Sequence, residues 1–279
     1  MSRSCLLWLE DCEAASGLAA TIARLACRRG CEVLVAVAEP DTGSSARLKP
    51  FIGSGVRTRT LTLSSDHAAD QIVRTIEEAG CELVAMALKR RSGLSSLWLG
   101  DLGSQVAGRV RCPVLIARDG RKGGTRPFVL GQDDVILLPV DTWATAQAAV
   151  ATLMDLVESP AAGVLVLHVC EAVSGGEAVA YVEPEEEGWQ VVRPLVSRLA
   201  RSGFRVEGMI VEASFDVAAE IATIAEERSA SLIVMGSKPH SSFAGRFLRS
   251  TDHQVMRLTD RPVLLARQLA VPVLQGGSW

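Results

Sequence analysis

The segment Cys112-Pro-Val-Leu-Ile-Ala-Arg118 recurs 149 residues later as Arg261-Pro-Val-Leu-Leu-Ala-Arg267. The same spacing aligns Leu83-Val-Ala-Met-Ala87 with Leu232-Ile-Val-Met-Gly236. Near the start of each copy the spacing is 131 or 132, where Leu6-Leu-Trp-Leu-Glu10 matches Leu137-Leu-Pro-Val-Asp141 and Val33-Leu-Val-Ala-Val37 matches Leu165-Val-Leu-His-Val169. A duplicated pattern of apolar runs has to be buried the same way twice, so the chain must fold as two like units. The change of spacing puts some 17 extra residues into the second copy, between its second and fourth strands. With 279 residues in all, each copy has about 140, enough for one α/β core. The expected units are 1–119 and 133–268. A linker at 120–132 carries Gly120, Gly123, Gly124, Pro127 and Gly131, and a tail covers 269–279.

Within each copy, short β-branched runs alternate with longer stretches of helical period. The second copy reads as strands at 135–140, 164–170, 205–212, 231–236 and 262–267. Helices are expected near 143–158, 188–202, 216–229 and 247–258. Val217, Ile221 and Ile224 share one helical face, with glutamates elsewhere. Runs such as Val164-Leu-Val-Leu167 are apolar on both faces, as in a parallel sheet covered by helices. Strand–helix–strand alternation then gives βαβ units with right-handed crossovers. The expected fold is α/β: two tandem doubly wound, Rossmann-like domains with five-stranded, mainly parallel sheets. In the first copy, residues 40–55 (Pro40, Gly43, Pro50, Gly53, Gly55) replace the second helix with a loop or short turn.

Composition removes other classes. The chain is 48% hydrophobic and 22% charged, with a mean hydropathy of +0.23, too apolar for a disordered segment. No apolar run approaches the ~18 residues of a membrane span. Cys5-Leu-Leu-Trp-Leu9 is too short for a signal-peptide core, so the expected location is cytoplasmic. Seven cysteines, an odd number, lie mostly in or beside apolar runs and read as reduced core thiols. The lone close pair, Cys27 and Cys31, is weak grounds for zinc. Residues 1–127 hold 18 Lys and Arg against 13 Asp and Glu, and residues 128–279 hold 11 against 19. Neither half is basic enough for general nucleic-acid binding.

In an open parallel sheet, ligands bind beyond the carboxyl ends of the strands, where strand order reverses. That points to Asp141, Val169 and the segment from Gly236. Asp141 is placed to accept a ribose hydroxyl or hold hydrated Mg²⁺. As a second reading, Asp141 or Thr142 caps the following helix. The segment Met235-Gly-Ser-Lys-Pro-His-Ser-Ser-Phe-Ala-Gly-Arg-Phe-Leu-Arg-Ser-Thr251 resembles the universal stress protein family, whose nucleotide-binding members carry G-x2-G-x9-G-[S/T] after the fourth strand. Through the repeat the resemblance spans nearly the whole chain, as a tandem two-domain member. It implies two domains about a pseudo-twofold axis, with 113–118 and 262–267 meeting within one chain as fifth strands do in that family's dimers.

The resemblance also implies an ATP site in the second domain, with Mg²⁺ accompanying the nucleotide. Asp141, Val169 (its backbone against adenine), Gly236, Ser250 and Thr251 would form it. The motif's second and third glycines fall on Pro239 and Arg249. Proline has no N–H to offer a phosphate, whereas an arginine guanidinium can grip one, and the helix start at Ser250 still favours an anion. The first domain departs further: Ala87, Arg90, Gly100 and Asp101 occupy the motif positions and Glu10 replaces Asp141. Asp101 would repel phosphate, whereas Lys89, Arg90 and Arg91 form a solvated face or an anion contact.

The other residues read structurally. His67 and His253 are expected to be partly exposed or capping, and His168 a satisfied core histidine. His240 lies on the motif loop. Trp8, Trp98 and Trp143 should pack at element ends, with Trp143 near enough to Asp141 to report on a ligand. Glu183-Pro-Glu-Glu-Glu187 is expected as a solvated loop leading into a helix, and the apolar 269–274 as an edge strand or partner contact. No G-x-S-x-G, Walker A, H-E-x-x-H or G-x-G-x-x-G occurs, and no nucleophile is paired with a base. Together with these features, the resemblance implies a non-enzymatic stress-response protein that senses a ligand or binds a partner protein. Two alternatives stay open: a weak ATP hydrolase or phosphotransferase using Asp141 and His240, and a purely structural interaction protein.

Overall fold

The computed structural model describes residues 3–10, 12, 14–38, 49–89, 102–118, 134–157, 162–170, 184–213, 216–237 and 250–267. The expected linker and tail, and Arg90, Arg91, Trp98, Gly100, Asp101, Pro239, His240 and Arg249, lie outside the described residues. The first half runs β1 (Ser4–Leu9), α1 (Ala14–Arg29), β2 (Glu32–Ala38), β3 (Thr58–Leu63), α2 (Ala68–Ala79), β4 (Cys81–Leu88), α3 (Leu102–Ala107) and β5 (Val114–Arg118). The second runs β6 (Val135–Pro139), α4 (Trp143–Leu156), β7 (Gly163–Cys170), α5 (Pro184–Arg201) and β8 (Arg205–Glu212). It continues through α6 (Val217–Glu227), β9 (Leu232–Ser237), α7 (Thr251–Leu258) and β10 (Val263–Arg267). The strands expected in the second half are all present, to within a residue or two.

The strands form one ten-stranded sheet in the order β3-β2-β1-β4-β5-β10-β9-β6-β7-β8. Each half is thus a parallel doubly wound sheet whose order reverses beside its first strand. Helices cover both faces, because strands such as β1 are buried along their whole length. One core layer packs α1, α4 and α5 on the sheet, and the other packs α2, α3, α6 and α7. Both layers run through the two halves without a break.

The halves join through β5 and β10, the only antiparallel pair among the described strands. Val263 lies opposite Ile116, Leu264 opposite Leu115, and Leu265 opposite Val114. Under the repeat, Val114, Leu115 and Ile116 correspond to Val263, Leu264 and Leu265. The pairing therefore maps onto itself, with the pseudo-twofold axis at the Leu115–Leu264 pair, as in an isologous dimer contact. An ion pair from Arg29 at the end of α1 to Asp155 of α4 (2.8 Å) adds a second link.

The extra length of the second copy is α5, an 18-residue helix packed on β7 and β8. At the corresponding place in the first half, the described residues form only the 3₁₀ turn Lys49–Phe51. The expected acidic loop is a correction. Glu185, Glu186 and Glu187 form the first turn of α5 itself, where negative charge complements the helix dipole.

Four of the seven thiols, at Cys5, Cys31, Cys81 and Cys170, are buried. Burial pushes the Cys5 thiol far up, and lifts Cys81 from an ordinary 9.0 to about 12 and Cys112 to about 11. A thiol that ionises less readily in the folded state contributes stability that is complete below the unfolded pKa. That contribution is lost as pH rises toward the folded value. The expected result is a urea midpoint that falls between pH 9 and pH 11, with a smaller fall in Cys81→Val, measured by circular dichroism. An equal fall in both proteins would assign the loss to other groups.

Candidate functional site

At the carboxyl end of the second half-sheet lies a cavity of about 620 Å³, within the ~300–1,000 Å³ range of small-molecule sites. It opens where β6 separates β9 from β7, the point of strand-order reversal. Asp141, Val169, Gly236, Ser250 and Thr251 all line it, although they are spread over more than a hundred residues of chain. Helix α5 contributes Glu187 and Val191, and α6 contributes Val217 and Ile221. The inserted helix thus supplies one wall.

Asp141 follows β6 and is exposed. The capping role considered for it falls to its neighbour. Thr142 is the N-cap of α4 and Thr145 completes a reciprocal capping box, so Asp141 is left without a hydrogen-bond partner among the described residues. Trp143, expected to pack, is 44% exposed, because the helix begins at the rim of the cavity.

Gly236 has a steric reason that the motif did not reveal. A Cβ built there would lie 2.0 Å from the Thr145 carbonyl oxygen and 2.5 Å from its carbon. Only glycine lets the first turn of α4 cross the end of β9 at this distance. Val169 is half-buried on β7 and paired with Val211 of β8. Ser250 is the N-cap of α7 in extended conformation, without a side-chain cap bond, and Thr251 opens the helix with its side chain exposed.

His168 lies in the cavity wall, half-buried. Its Nδ1 is 2.9 Å from the Val140 carbonyl oxygen. A carbonyl only accepts, so Nδ1 is the donor in this bond. Gly188 of α5 makes room for the ring, since a Cβ there would come within 2.6 Å of His168 Cδ2. His253 corrects the expectation of exposure. It is 4% exposed, because the first turn of α7 is turned inward with Asp252, Val255 and Met256.

Behind the cavity lies a charged group that the sequence reading missed. Arg267 ends β10 beside Ser237, the last residue of β9, and is 3% exposed. Its Nη1 donates to Ser237 Oγ at 2.8 Å, and Ser237 Oγ donates to Asp252 Oδ2 at 2.5 Å. Asp252 Oδ1 accepts the backbone N–H of His253 at 3.1 Å. Burial lowers the pKa of the guanidinium, while the Asp252 carboxylate and the Cys112 thiol raise it. Ser237 and Asp252 both line the cavity. Sequence offered only faint signals: Ser237 adjoins the first motif glycine and Asp252 the final hydroxyl.

The equivalent place in the first half is differently built. Glu10, at the register of Asp141, accepts the backbone N–H of Lys89 at 2.6 Å and donates its own N–H to the Ala87 carbonyl at 2.9 Å. Those two bonds tie the ends of β1 and β4 together. Trp8 takes the register of Pro139 and is 3% exposed, and Ala87 takes that of Gly236 and is fully buried. Among the described residues no group of three or more His, Cys, Asp or Glu side chains is placed to hold a metal ion. Nor is any helix among them long and apolar enough to cross a membrane.

Residues 52–118 and 134–267 match the universal stress protein family. The universal stress protein YxiE of Bacillus subtilis strain 168 is 29% identical over 146 residues, covering 47% of this chain and 97% of that protein. A universal stress protein structure from Archaeoglobus fulgidus DSM 4304 superimposes with a TM-score of 0.69 at 18% identity, covering 96% of this chain and 97% of that one. A functionally unknown protein from Pseudomonas aeruginosa PAO1 superimposes with a TM-score of 0.66 at 19% identity, with 96% and 93% covered. The family match takes in both halves and most of the length, so this chain is a tandem member of the universal stress protein family.

Proposed function

We propose that the chain is a cytoplasmic, non-enzymatic stress-response module that binds ATP in its second domain and passes the state of that site to a partner protein. The units are read as 1–119 and 133–268, with 120–132 linking them. The observation that carries the reading is a cavity of nucleotide size, around which Asp141, Val169, Gly236, Ser250 and Thr251 converge. The buried guanidinium of Arg267 behind its floor also fits a ligand that brings negative charge.

In this reading Asp141 accepts a ribose hydroxyl, the Val169 backbone meets the base, and the α7 N-terminus with Ser250 and Thr251 faces the phosphates. Magnesium bound with the nucleotide would be held mainly by phosphate oxygens, with one carboxylate at most from the chain. The first domain is read as a copy that does not bind nucleotide, closed by Glu10 and Trp8.

The test is mass spectrometry of small molecules released on denaturation, followed by titration calorimetry with Mg-ATP. The expected result is one nucleotide per chain, released as intact ATP. Asp141→Asn should weaken binding about tenfold, the scale of one charge-assisted hydrogen bond. Release of ADP with steady phosphate production, abolished by Asp141→Asn, would replace the binding module with a hydrolase. No nucleotide and no heat would sink both.

A further inference from the structure

A buried arginine is expensive unless its donors are used, because each N–H taken from water without a new acceptor forfeits a strong hydrogen bond. Arg267 is 3% exposed, yet among the described residues its Nε and Nη2 have no hydrogen-bond partner. Its one described hydrogen bond goes to the Ser237 hydroxyl, through which it meets Asp252. The arrangement is poor as a structural ion pair. The carboxylate is reached only through the serine, and two nitrogens are left bare.

Asp252 poses the opposite problem. Asp252 lines the cavity beside Ser250 and Thr251 and lies in the first turn of α7, at the helix end that would otherwise attract an anion. A bare negative charge there would repel a phosphate, since like charges in a partly buried site are only weakly screened. We propose that Arg267 is the positioning residue that makes this end of the cavity selective for phosphate-bearing ligands. Acting through Ser237, it cancels the charge of Asp252 and leaves the positive end of α7 to set the local field. The chemical class is a nucleotide or other phosphoryl compound whose anionic end reaches Ser250, and an uncharged nucleoside gains nothing from it. The first half has Leu88 and Gly103 at the registers of Ser237 and Asp252, neither of which carries a charge.

The inference rests on the nucleotide reading, and three probes separate the two: Mg-ATP, adenosine and inorganic tripolyphosphate, each titrated calorimetrically. Arg267→Met should weaken ATP and tripolyphosphate at least tenfold and leave adenosine within twofold. Adding Asp252→Asn should restore most of the loss, a rescue that a purely structural arginine would not show. Ser237→Ala removes only a hydroxyl and should give a smaller loss of the same selectivity, which keeps the test available if Arg267→Met does not fold. Tripolyphosphate bound and lost in Arg267→Met, with no ATP or adenosine bound, would keep the inference and discard the nucleotide. ATP bound equally by the wild type and Arg267→Met would discard the inference and keep the nucleotide. Parallel loss of adenosine and ATP without rescue would also discard the inference, and a wild type that binds none of the three discards both.

Discussion

Leu264→Asp is expected to break the molecule at its centre. Leu264 is 2% exposed and packed in the core layer shared by both halves, opposite Leu115 on the pseudo-twofold axis. A carboxylate there would be buried in an apolar core layer, and an unpaired buried charge costs about 3–5 kcal/mol. Loss of the leucine's own burial adds to that. For a chain of this size, thermal unfolding should begin roughly 10 °C lower. The pairing is short, five residues per strand at most, so the two halves should also lose their mutual protection. Hydrogen exchange at β5 and β10 should rise before that at β1 or β6. Leu264→Met keeps volume and apolarity and should cost less than about 1.5 kcal/mol. If the aspartate variant melts within a degree or two of wild type, the antiparallel seam does not hold the halves together.

Gly236→Val should produce the second large effect, and it separates two explanations of one glycine. A motif argument assigns Gly236 to close approach by phosphate, but the nearest obstacle to a side chain is the protein itself. The Thr145 carbonyl oxygen stands 2.0 Å from the Cβ position. To admit a side chain, the first turn of α4 must move, and with it the Thr142–Thr145 capping box. Overpacking of this kind costs about 1–3 kcal/mol, and loss of the cap adds about 1 kcal/mol. The variant should lose stability whether or not nucleotide is present, read as the same drop in melting temperature with and without Mg-ATP added. If the drop appears only with nucleotide present, the phosphate explanation stands instead. The first half has already met this constraint differently. Ala87 sits at the same register, fully buried, where α1 begins at Ala14.

Much of the fold was legible because it is written locally. The repeat at 149 residues, the twofold runs of β9 and β10 and the 3.6-residue period of α6 all lie within short windows. The self-mapping pairing of β5 with β10 followed from the family resemblance, and the register agrees with it. The extra residues of the second copy were countable in the sequence. That they form α5, and that α5 walls the cavity with Glu187 and Val191, was not visible. Helix and cavity wall are one element seen from two distances, and only the local one has a period.

The site divides along the same line. Asp141, Val169, Gly236, Ser250 and Thr251 could be named from motif spacing, since each lies at a strand end or helix start that the pattern marks. Their convergence on one cavity is a property of strand order, which the chain reverses beside β6. Which of two candidates caps α4, and which histidines turn inward, the sequence left open. Thr142 rather than Asp141 caps α4 because the hydroxyl of Thr145 turns back to meet it. His253 is buried and His168 is fixed by Val140.

Local pattern was enough to read this protein as a duplicated α/β chain of alternating strands and helices, with a candidate site at the strand ends of its second copy. Those features follow from periodicity and repetition, which act between near neighbours and between copies of one pattern. Folding in three dimensions was needed to bring Arg267, Ser237 and Asp252 into one buried chain of contacts behind the cavity, and to tie Glu10 to Lys89 at the corresponding edge of the first half. Hydrogen bonds and charges act over a few ångströms of space. Which groups come that close, across 30 residues for Arg267 and 79 for Glu10, is settled by packing.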